Sequence, residues 1–382
     1  MLFLELKEVI TIKKILFGIT SLTLGGAERV LVDISNKLSE KYDITIFSIY
    51  DNGELKNDLN KNVKFKALYN CRYDELTKLQ KMWIPIKILL FSKIIYNKKI
   101  KQNYDTEIAF LEGPITRLFS TKNKDVHKIA WIHNDIEKVF GNDLKSKIKK
   151  YIDKKIYKKY NDLVFVSQDN MEKFQNIYND LNTENMHVIY NYIDKDLVIK
   201  KSNYNIKVEF DYNSINFLTV CRLVKQKAID RFIRVHSKLI NRGLKHKVYI
   251  IGDGPEKENL QKLIKQENVE DTFVLLGKKE NPYPYIKNAN YFCLLSEFEG
   301  YGMVLEEAKI LNKPIIITNT AARECIENYP EALILENSED EIYDGLYKLL
   351  NDNDDKIFNN TQTNTEYDNT EKLQKIIELV GD

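Results

Sequence analysis

Short β-branched runs alternate with helix-forming stretches along almost the whole chain, and this rhythm constrains the fold more than any other feature. KKILFGI (13–19) reads as a strand, AERVLVDISNKLSE (27–40) as an amphipathic helix and DITIFSIY (43–50) as a second strand. TEIAFL (106–111), HKIAWI (127–132), DLVFVS (162–167) and MHVIYN (186–191) follow, with Lys-rich helices over roughly 75–100 and 143–160. Strands separated by helices pair through crossovers, so the sheet is mostly parallel and covered by helices. The rhythm pauses over the polar, irregular stretch 192–214, which reads as a linker. It restarts at NFLTVCR (216–222) and runs through KVYIIGDG (247–254), TFVLLG (272–277), NYFCLLS (290–296), KPIIIT (313–318) and EALILE (331–336).

Two α/β domains are therefore expected, both Rossmann-like with parallel sheets, facing each other across a cleft. The expected bounds are 1–197 and 198–367, with a final helix at about 368–382 packing back onto the first domain. A chain of 382 residues also exceeds the size at which a single core keeps growing. The Asn/Asp-rich stretch 351–369 reads as loose, and the first ten residues read as an extension ahead of the first strand. That start lacks a basic region and carries Glu5 and Glu8, which argues against a signal peptide. No run reaches the ~18–20 apolar residues of a membrane span. Cys71, Cys221, Cys293 and Cys325 are scattered without a CxxC pair, so neither a metal site nor a disulfide is indicated and a reduced, cytoplasmic setting is expected.

Charge is unevenly placed. Residues 1–200 hold 34 Lys/Arg against 26 Asp/Glu, and the remainder 24 against 30. The first half is thus suited to an anionic partner. Residues 76–104 contain seven lysines and no acid, with Trp83, Ile84, Leu89, Leu90 and Phe91 among them. Lys78, Lys81, Trp83, Lys87 and Lys93 mark this stretch as a helix lying on an anionic membrane surface. The alternative is an ordinary helix that packs its apolar side on the domain. No nucleic-acid motif accompanies the charge, so nucleic acid is not an expected partner.

Three motifs can carry chemistry. Gly25-Gly26 sits between a strand and a helix, where backbone N–H groups and the helix dipole favour a phosphate; a tight turn without ligand is the alternative. A dinucleotide enzyme would want GxGxxG, which is absent. Asp51, after the second strand, has the place of a ribose-binding acid on weak grounds. In CRLVKQKAIDRFI, Arg222 ends a strand and Lys227 follows where a helix begins. Arg as a fork and Lys as a point charge can clamp a diphosphate and stabilise the charge growing on a leaving group; solvated loop cations are the alternative. In SEFEGYGMVLEEA, Glu299 precedes the Gly300-Tyr301-Gly302 turn and Glu307 comes eight residues later. Open backbone plus carboxylates suits a polyhydroxylated ligand. Otherwise Glu306-Glu307 is a wet helix face.

In this order and spacing the chain resembles the family 4 glycosyltransferases, the large retaining group with the two-Rossmann-domain (GT-B) fold. The likeness runs from Lys13 to about Leu350. It rests on GGAERV, the His in AWIHND, FVSQ, VIYNYID, the R-L-V-x-x-K stretch, IGDGPE, NPYPYIKNA and the EGYG…E pair. The resemblance implies that Arg222 and Lys227 bind the diphosphate of a nucleotide-sugar donor, with Gly25 and Gly26 supporting it. Glu307 would hold the ribose, while Glu299, Gly300 and the amides of Tyr301 and Gly302 hold the transferred sugar. Gly252 and Gly254 would line the nucleotide, and Gly277, Lys278 and Lys279 would meet the base. His133 matches a position near donor sugar and acceptor, although a lone His after a strand is more often structural. Asn191 and Asp194 match a hinge motif. Cys221 and Ala228 stand where the family commonly has glycine, and Thr320-Ala321-Ala322-Arg323 replaces a Gly-rich loop.

The expected activity is a metal-independent, retaining hexosyl or N-acetylhexosaminyl transfer. The donor is a UDP-sugar by frequency in the family, and the acceptor a saccharide or lipid-linked acceptor in cell-surface polysaccharide or glycolipid synthesis. No cofactor is implied. A non-catalytic sugar-nucleotide-binding subunit is the alternative from another class; the presence of His133, Glu299 and Glu307 speaks for the enzyme. An NAD(P) oxidoreductase is a third reading.

Overall fold

The structure, a computed structural model, describes residues 12–51, 53–73, 75–100, 102–121, 125–134, 137, 144–205, 207–351 and 367–381. The expected extension at the start and most of the Asn/Asp-rich stretch lie outside the described residues. The chain divides into two compact units. Unit 1 is Met1–Tyr192 together with Thr370–Asp382, and unit 2 is Ile193–Asn369.

Unit 1 runs β1 Lys14–Ile19, α1 Gly26–Leu38, β2 Asp43–Tyr50, β3 Lys64–Tyr69, α2 Lys78–Lys99, β4 Thr106–Ala109, α3 Pro114–Phe119, β5 His127–Ile132, α4 Leu144–Tyr157, β6 Asp162–Phe165, α5 Gln168–Ile177 and β7 Met186–Val188. Its seven strands lie in the order β3-β2-β1-β4-β5-β6-β7, and every pairing is parallel. Ile15, Leu16, Phe17 and Ile19 of the central strand are buried, as expected of a strand covered on both faces. Gly18 lets α3 close down on β1, because a Cβ there would collide with Ile115 and Phe119. The sequence pattern missed β3. As an edge strand it alternates lysines with apolar residues and leaves most of its length half exposed, which weakens the β-branched signature.

A sealed ion pair crosses the β4–β5 ladder. Lys128 Nζ donates to Glu107 Oε2 at 2.6 Å and to the Phe119 carbonyl at 2.9 Å, and the Tyr96 hydroxyl donates to the other Glu107 oxygen.

Unit 2 runs α6 Lys195–Ser202, β8 Ile215–Val220, α7 Ile229–Asn241, β9 His246–Ile251, α8 Lys257–Gln266, β10 Phe273–Gly277, α9 Tyr283–Asn288, β11 Tyr291–Leu294, α10 Met303–Ile310, β12 Ile315–Thr318, β13 Ala332–Leu335 and α11 Glu339–Asn351. The sheet order is β10-β9-β8-β11-β12-β13, again all parallel. The stretch read as a linker is a correction: it carries α6, capped by the Asp194 side chain, which accepts from Leu197 N at 2.9 Å. Val198, Val208 and Phe210 from the same stretch are buried in the unit 2 core. One aspartate cap and three well-spaced apolar anchors are too few to stand out against a polar background. In the same unit His236 Nδ1 lies 2.8 Å from His246 Nε2, His236 Nε2 lies 2.8 Å from Thr272 Oγ1, and His246 Nδ1 reaches the Leu244 carbonyl at 2.9 Å.

The last helix, α12 Thr370–Gly381, belongs to unit 1. Ile376 and Val380 are buried, Thr106 Oγ1 donates to the Val380 carbonyl at 3.2 Å, and Lys13 Nζ donates to the Gly381 carbonyl. The chain therefore passes between the units twice, and Asn369 at the second passage donates its side-chain amide to the Ile193 carbonyl at the first.

Candidate active site

In a parallel sheet the order of strands reverses once, and the loops at the carboxyl ends on either side of that reversal splay apart to leave a crevice. In unit 2 the reversal falls between β8 and β11. Arg222 and Lys227 follow β8, and Glu299, Gly300, Tyr301 and Gly302 follow β11, so the residues singled out in the sequence flank it.

The two loops are tied together. Gln226 Nε2 donates to the Phe298 carbonyl at 2.9 Å, and Glu297 N donates to the Gln226 carbonyl at 2.9 Å. Lys227 Nζ forms an ion pair with Glu299 Oε1, which also accepts from Ser296 Oγ at 2.7 Å. A cation and a carboxylate that the sequence assigned to different parts of one ligand are thus neighbours. Arg222 is exposed and makes no ion pair among the described residues. Lys225–Lys227 form a 3-10 turn that ends at Ala228 in the left-handed region (φ 48, ψ 38). A Cβ in that conformation costs roughly 1–2 kcal/mol, a physical reason for glycine at this position.

Gly252 (φ 149) and Gly254 also have a packing role. A Cβ on either would overlap the backbone carbonyl of Cys221 or Leu223. Their bare backbone brings the loop after β9 against the loop bearing Arg222, where Cys221 N bonds the Ile251 carbonyl and Leu223 N the Asp253 carbonyl, both at 3.0 Å. On α10 the two adjacent glutamates part company. Glu306 is buried and accepts from Tyr301 OH and from Cys325 Sγ at 3.3 Å, which removes the wet-face alternative for it. Glu307 is half-buried and accepts from Tyr283 OH at 3.2 Å. Lys278 and Lys279 lie just past β10. The Lys279 side chain is engaged at 3.0 Å by Glu209, which also accepts from Tyr285 OH at 2.7 Å.

In unit 1 the reversal lies between β1 and β4. Gly25 caps α1 in an extended conformation and Gly26 begins the helix. The Glu28 carboxyl lies against Gly25, and burial raises its pKa. Gly53, missed in the sequence, has φ 132, and a Cβ there would overlap the Leu22 backbone, so it holds the loop that leads into Gly25. Asp51 pairs with Lys56 at 2.6 Å.

His133 follows β5. Its ring packs on Phe110 at 4.8 Å and on Trp131, and its Nε2 is buried with no partner among the described residues. Burial pushes its pKa down to about 3, so the ring is neutral at physiological pH and can offer or accept a hydrogen bond, but not a positive charge. Sequence reasoning overlooked Glu112. Its Oε1 accepts from His133 N at 2.7 Å and Asn134 N at 2.8 Å, and its Oε2 accepts from Asn134 Nδ2 at 2.9 Å. Burial raises its pKa against the lowering effect of these bonds. The available signal was an acid before Gly113 (φ 95) and Pro114, in a turn directly after a strand.

Among the described residues, no helix is long and apolar enough to cross a membrane. Residues 200–366 match the family model for glycosyl transferases, group 1. A Campylobacter jejuni relative, N-acetylgalactosamine-N,N'-diacetylbacillosaminyl-diphospho-undecaprenol 4-alpha-N-acetylgalactosaminyltransferase, is 27% identical over 87% of this chain and 89% of its own. The O-antigen biosynthesis glycosyltransferase WclY of Escherichia coli is 24% identical over 80% of each chain. Among solved structures, Alr3699/HepE of Anabaena, in complex with UDP and glucose, superposes with a TM-score of 0.71 at 16% identity, over 96% of this chain and 98% of that one. Family model, relatives and shared fold together support a glycosyltransferase of the GT-B fold.

Proposed function

We propose that the chain transfers a hexosyl or N-acetylhexosaminyl unit from a UDP-sugar to a saccharide or lipid-linked saccharide with retention of anomeric configuration, as the family 4 resemblance implies. The observation that carries this reading is the pairing of loops at the unit 2 reversal. Arg222 and Lys227 stand on one side, and Glu299 with the Gly300–Gly302 turn on the other. In the proposed reaction the bond from the anomeric carbon to the diphosphate oxygen breaks and a bond to the acceptor oxygen forms on the same face. The acceptor proton passes to the departing phosphate. Arg222 and Lys227 neutralise the charge growing on that phosphate, a role that needs no metal. Glu299 grips the sugar hydroxyls, and its ion pair with Lys227 sets both groups at one point. Glu307, steadied by Tyr283, takes the ribose. His133, uncharged, offers a hydrogen bond near the transferred sugar.

The relatives' names support the acceptor class: one acts on a diphospho-undecaprenol-linked saccharide and another serves O-antigen synthesis. The UDP and glucose in the Anabaena structure support the donor. Two measurements test the proposal. In a panel of nucleotide sugars, a UDP-sugar should raise the melting temperature, since a ligand that binds only the native state stabilises it. Arg222→Ala should abolish that rise and most of the transfer while leaving the ligand-free melting temperature unchanged. Transfer at the wild-type rate by the variant would overturn the assignment.

A further inference from the structure

Helix α2 has two apolar faces. Ile84 and Ile88 are buried in the unit 1 core together with Ile115, Leu118 and Phe119 of α3. At 3.6 residues per turn the opposite side of the helix, up to the kink at Phe91, carries Leu79, Trp83, Ile86 and Leu90, and Ile94 follows beyond the kink. Leu79 is 66% exposed, Trp83 57%, Leu90 67% and Ile94 64%, with Met82 and Phe91 exposed beside them. A surface helix normally shows one apolar stripe toward the core and a polar face to solvent. A second stripe in water costs solvation free energy, and a contiguous one marks an interaction site.

The charge around the stripe identifies the occupant. The helix contains six lysines and no acid; Lys78, Lys87, Lys93, Lys98 and Lys99 are exposed. Helix α4 repeats the pattern: Leu144, Ile148 and Tyr151 are exposed at helical spacing among lysines, and Lys155 lies over the Tyr151 ring at 4.2 Å. Its single acid, Asp153, is engaged by Arg117 at 3.0 Å. The buried residues of α4, Ile156 and Tyr157, join the same core cluster as Ile84 and Ile88. Apolar side chains at the crest of a helix with cations along its flanks fit the boundary between acyl chains and anionic headgroups. A protein partner of matching chemistry would need an acidic rim around an apolar groove; a bilayer of anionic lipid supplies both over any area.

We propose that unit 1 docks on an anionic lipid surface through the outer stripe of α2, with the Leu144–Tyr151 stripe of α4 as a second contact. The proposal stands on unit 1 alone, so it can fail without touching the donor assignment, and the reverse holds as well.

Trp83 is a built-in reporter, because the only other tryptophan, Trp131, is buried. The full chain is mixed with vesicles of phosphatidylcholine alone, or of equal parts phosphatidylcholine and phosphatidylglycerol, and both co-sedimentation and tryptophan emission are read. Binding and a blue shift with the anionic vesicles only, weakened by salt, are expected. Leu79→Glu/Leu90→Glu changes two side chains that already face water, so its melting temperature and donor binding should match wild type while vesicle binding is lost. Arg222→Ala should lose donor binding and keep vesicle binding. Equal binding to both vesicle types, no binding, or unchanged binding by the Leu79/Leu90 variant would overturn the proposal. So would a concentration-dependent dimer abolished by that variant, since the stripe would then belong to a second copy of the chain.

Discussion

Two lysine–glutamate pairs, one from each unit, are built to opposite ends. Lys128 and Glu107 have side chains 2% and 1% exposed, with a carbonyl and a tyrosine hydroxyl completing the shell. Lys227 and Glu299 are 18% and 9% exposed and lie on loops at the carboxyl ends of the two central strands. The first pair is walled in by the strands it connects. The second sits where a ligand could separate its members or bridge them. The same two side chains thus form an internal fastening in one place and a partly open pair in the other. What distinguishes them is position relative to the carboxyl ends of the strands, not chemistry.

One substitution made in both pairs would break this contrast if it is wrong. Lys128→Met should leave Glu107 buried without its cation and destabilise the protein by about 3–5 kcal/mol, read as a lower denaturant midpoint of unit 1. If Lys128→Met unfolds at the wild-type midpoint, the pair is not sealed. Lys227→Met should instead leave the midpoint nearly unchanged and slow transfer by roughly 100- to 1,000-fold, the usual effect of removing one group that stabilises developing charge.

Acid sharpens the comparison, because buried histidines in unit 2 have sealed surroundings of their own. Burial lowers the pKa of His236 to about 2, with His246 adding to the shift, and burial lowers His246 to about 4, both from 6.5. The native state therefore holds both rings neutral. Their contribution is complete above pH 6.5 and drains away as the pH falls toward 4, by up to about 1.4 kcal/mol per pH unit for each ring. Denaturant midpoints should fall over that window, and His246→Gln should flatten the slope. The smallest effect is expected at Glu112. Glu112→Gln turns an amide toward the Asn134 amide and should reduce transfer about tenfold, an effect of about 1.4 kcal/mol, with donor binding unchanged. Asn134→Asp in the same chain restores an acceptor opposite that amide and should recover much of the rate; no recovery would mean that Glu112 acts otherwise than by holding the His133 loop.

Much of the scaffold was legible because parallel strands covered on both faces are nearly continuous apolar runs, as in DITIFSIY and HKIAWI, whose spans the structure reproduces. The lysine-broken edge strand Lys64–Tyr69 and the aspartate-capped helix Lys195–Ser202 escaped notice, since each depends on neighbours distant in the chain. For the site, spacing located the loops that carry Arg222, Lys227 and Glu299 but not their connections. The Lys227–Glu299 pair joins residues 72 positions apart, and no local pattern encodes it. Gly252 and Gly254 were noted as open backbone, but the close approach of Cys221 and Leu223 that they permit is set by folding and has no local signature. Glu112 was invisible because a lone acid after a strand is common, and only folding places two backbone amides over it. The second apolar face of α2 could not be read from a pattern either, since periodicity does not say which stripe finds the core.

The return of α12 to unit 1 has a consequence for biosynthesis. Unit 1 starts to emerge from the ribosome before unit 2, yet the hydrogen bonds that Lys13 and Thr106 give to Gly381 and Val380 must wait until all of unit 2 has been made. The first half of the polypeptide is therefore the last to be finished, and during elongation the groove that takes Ile376 and Val380 stays open. Nascent chains halted before Thr370 should be more readily cleaved by protease in unit 1 than in unit 2, although unit 1 is the older.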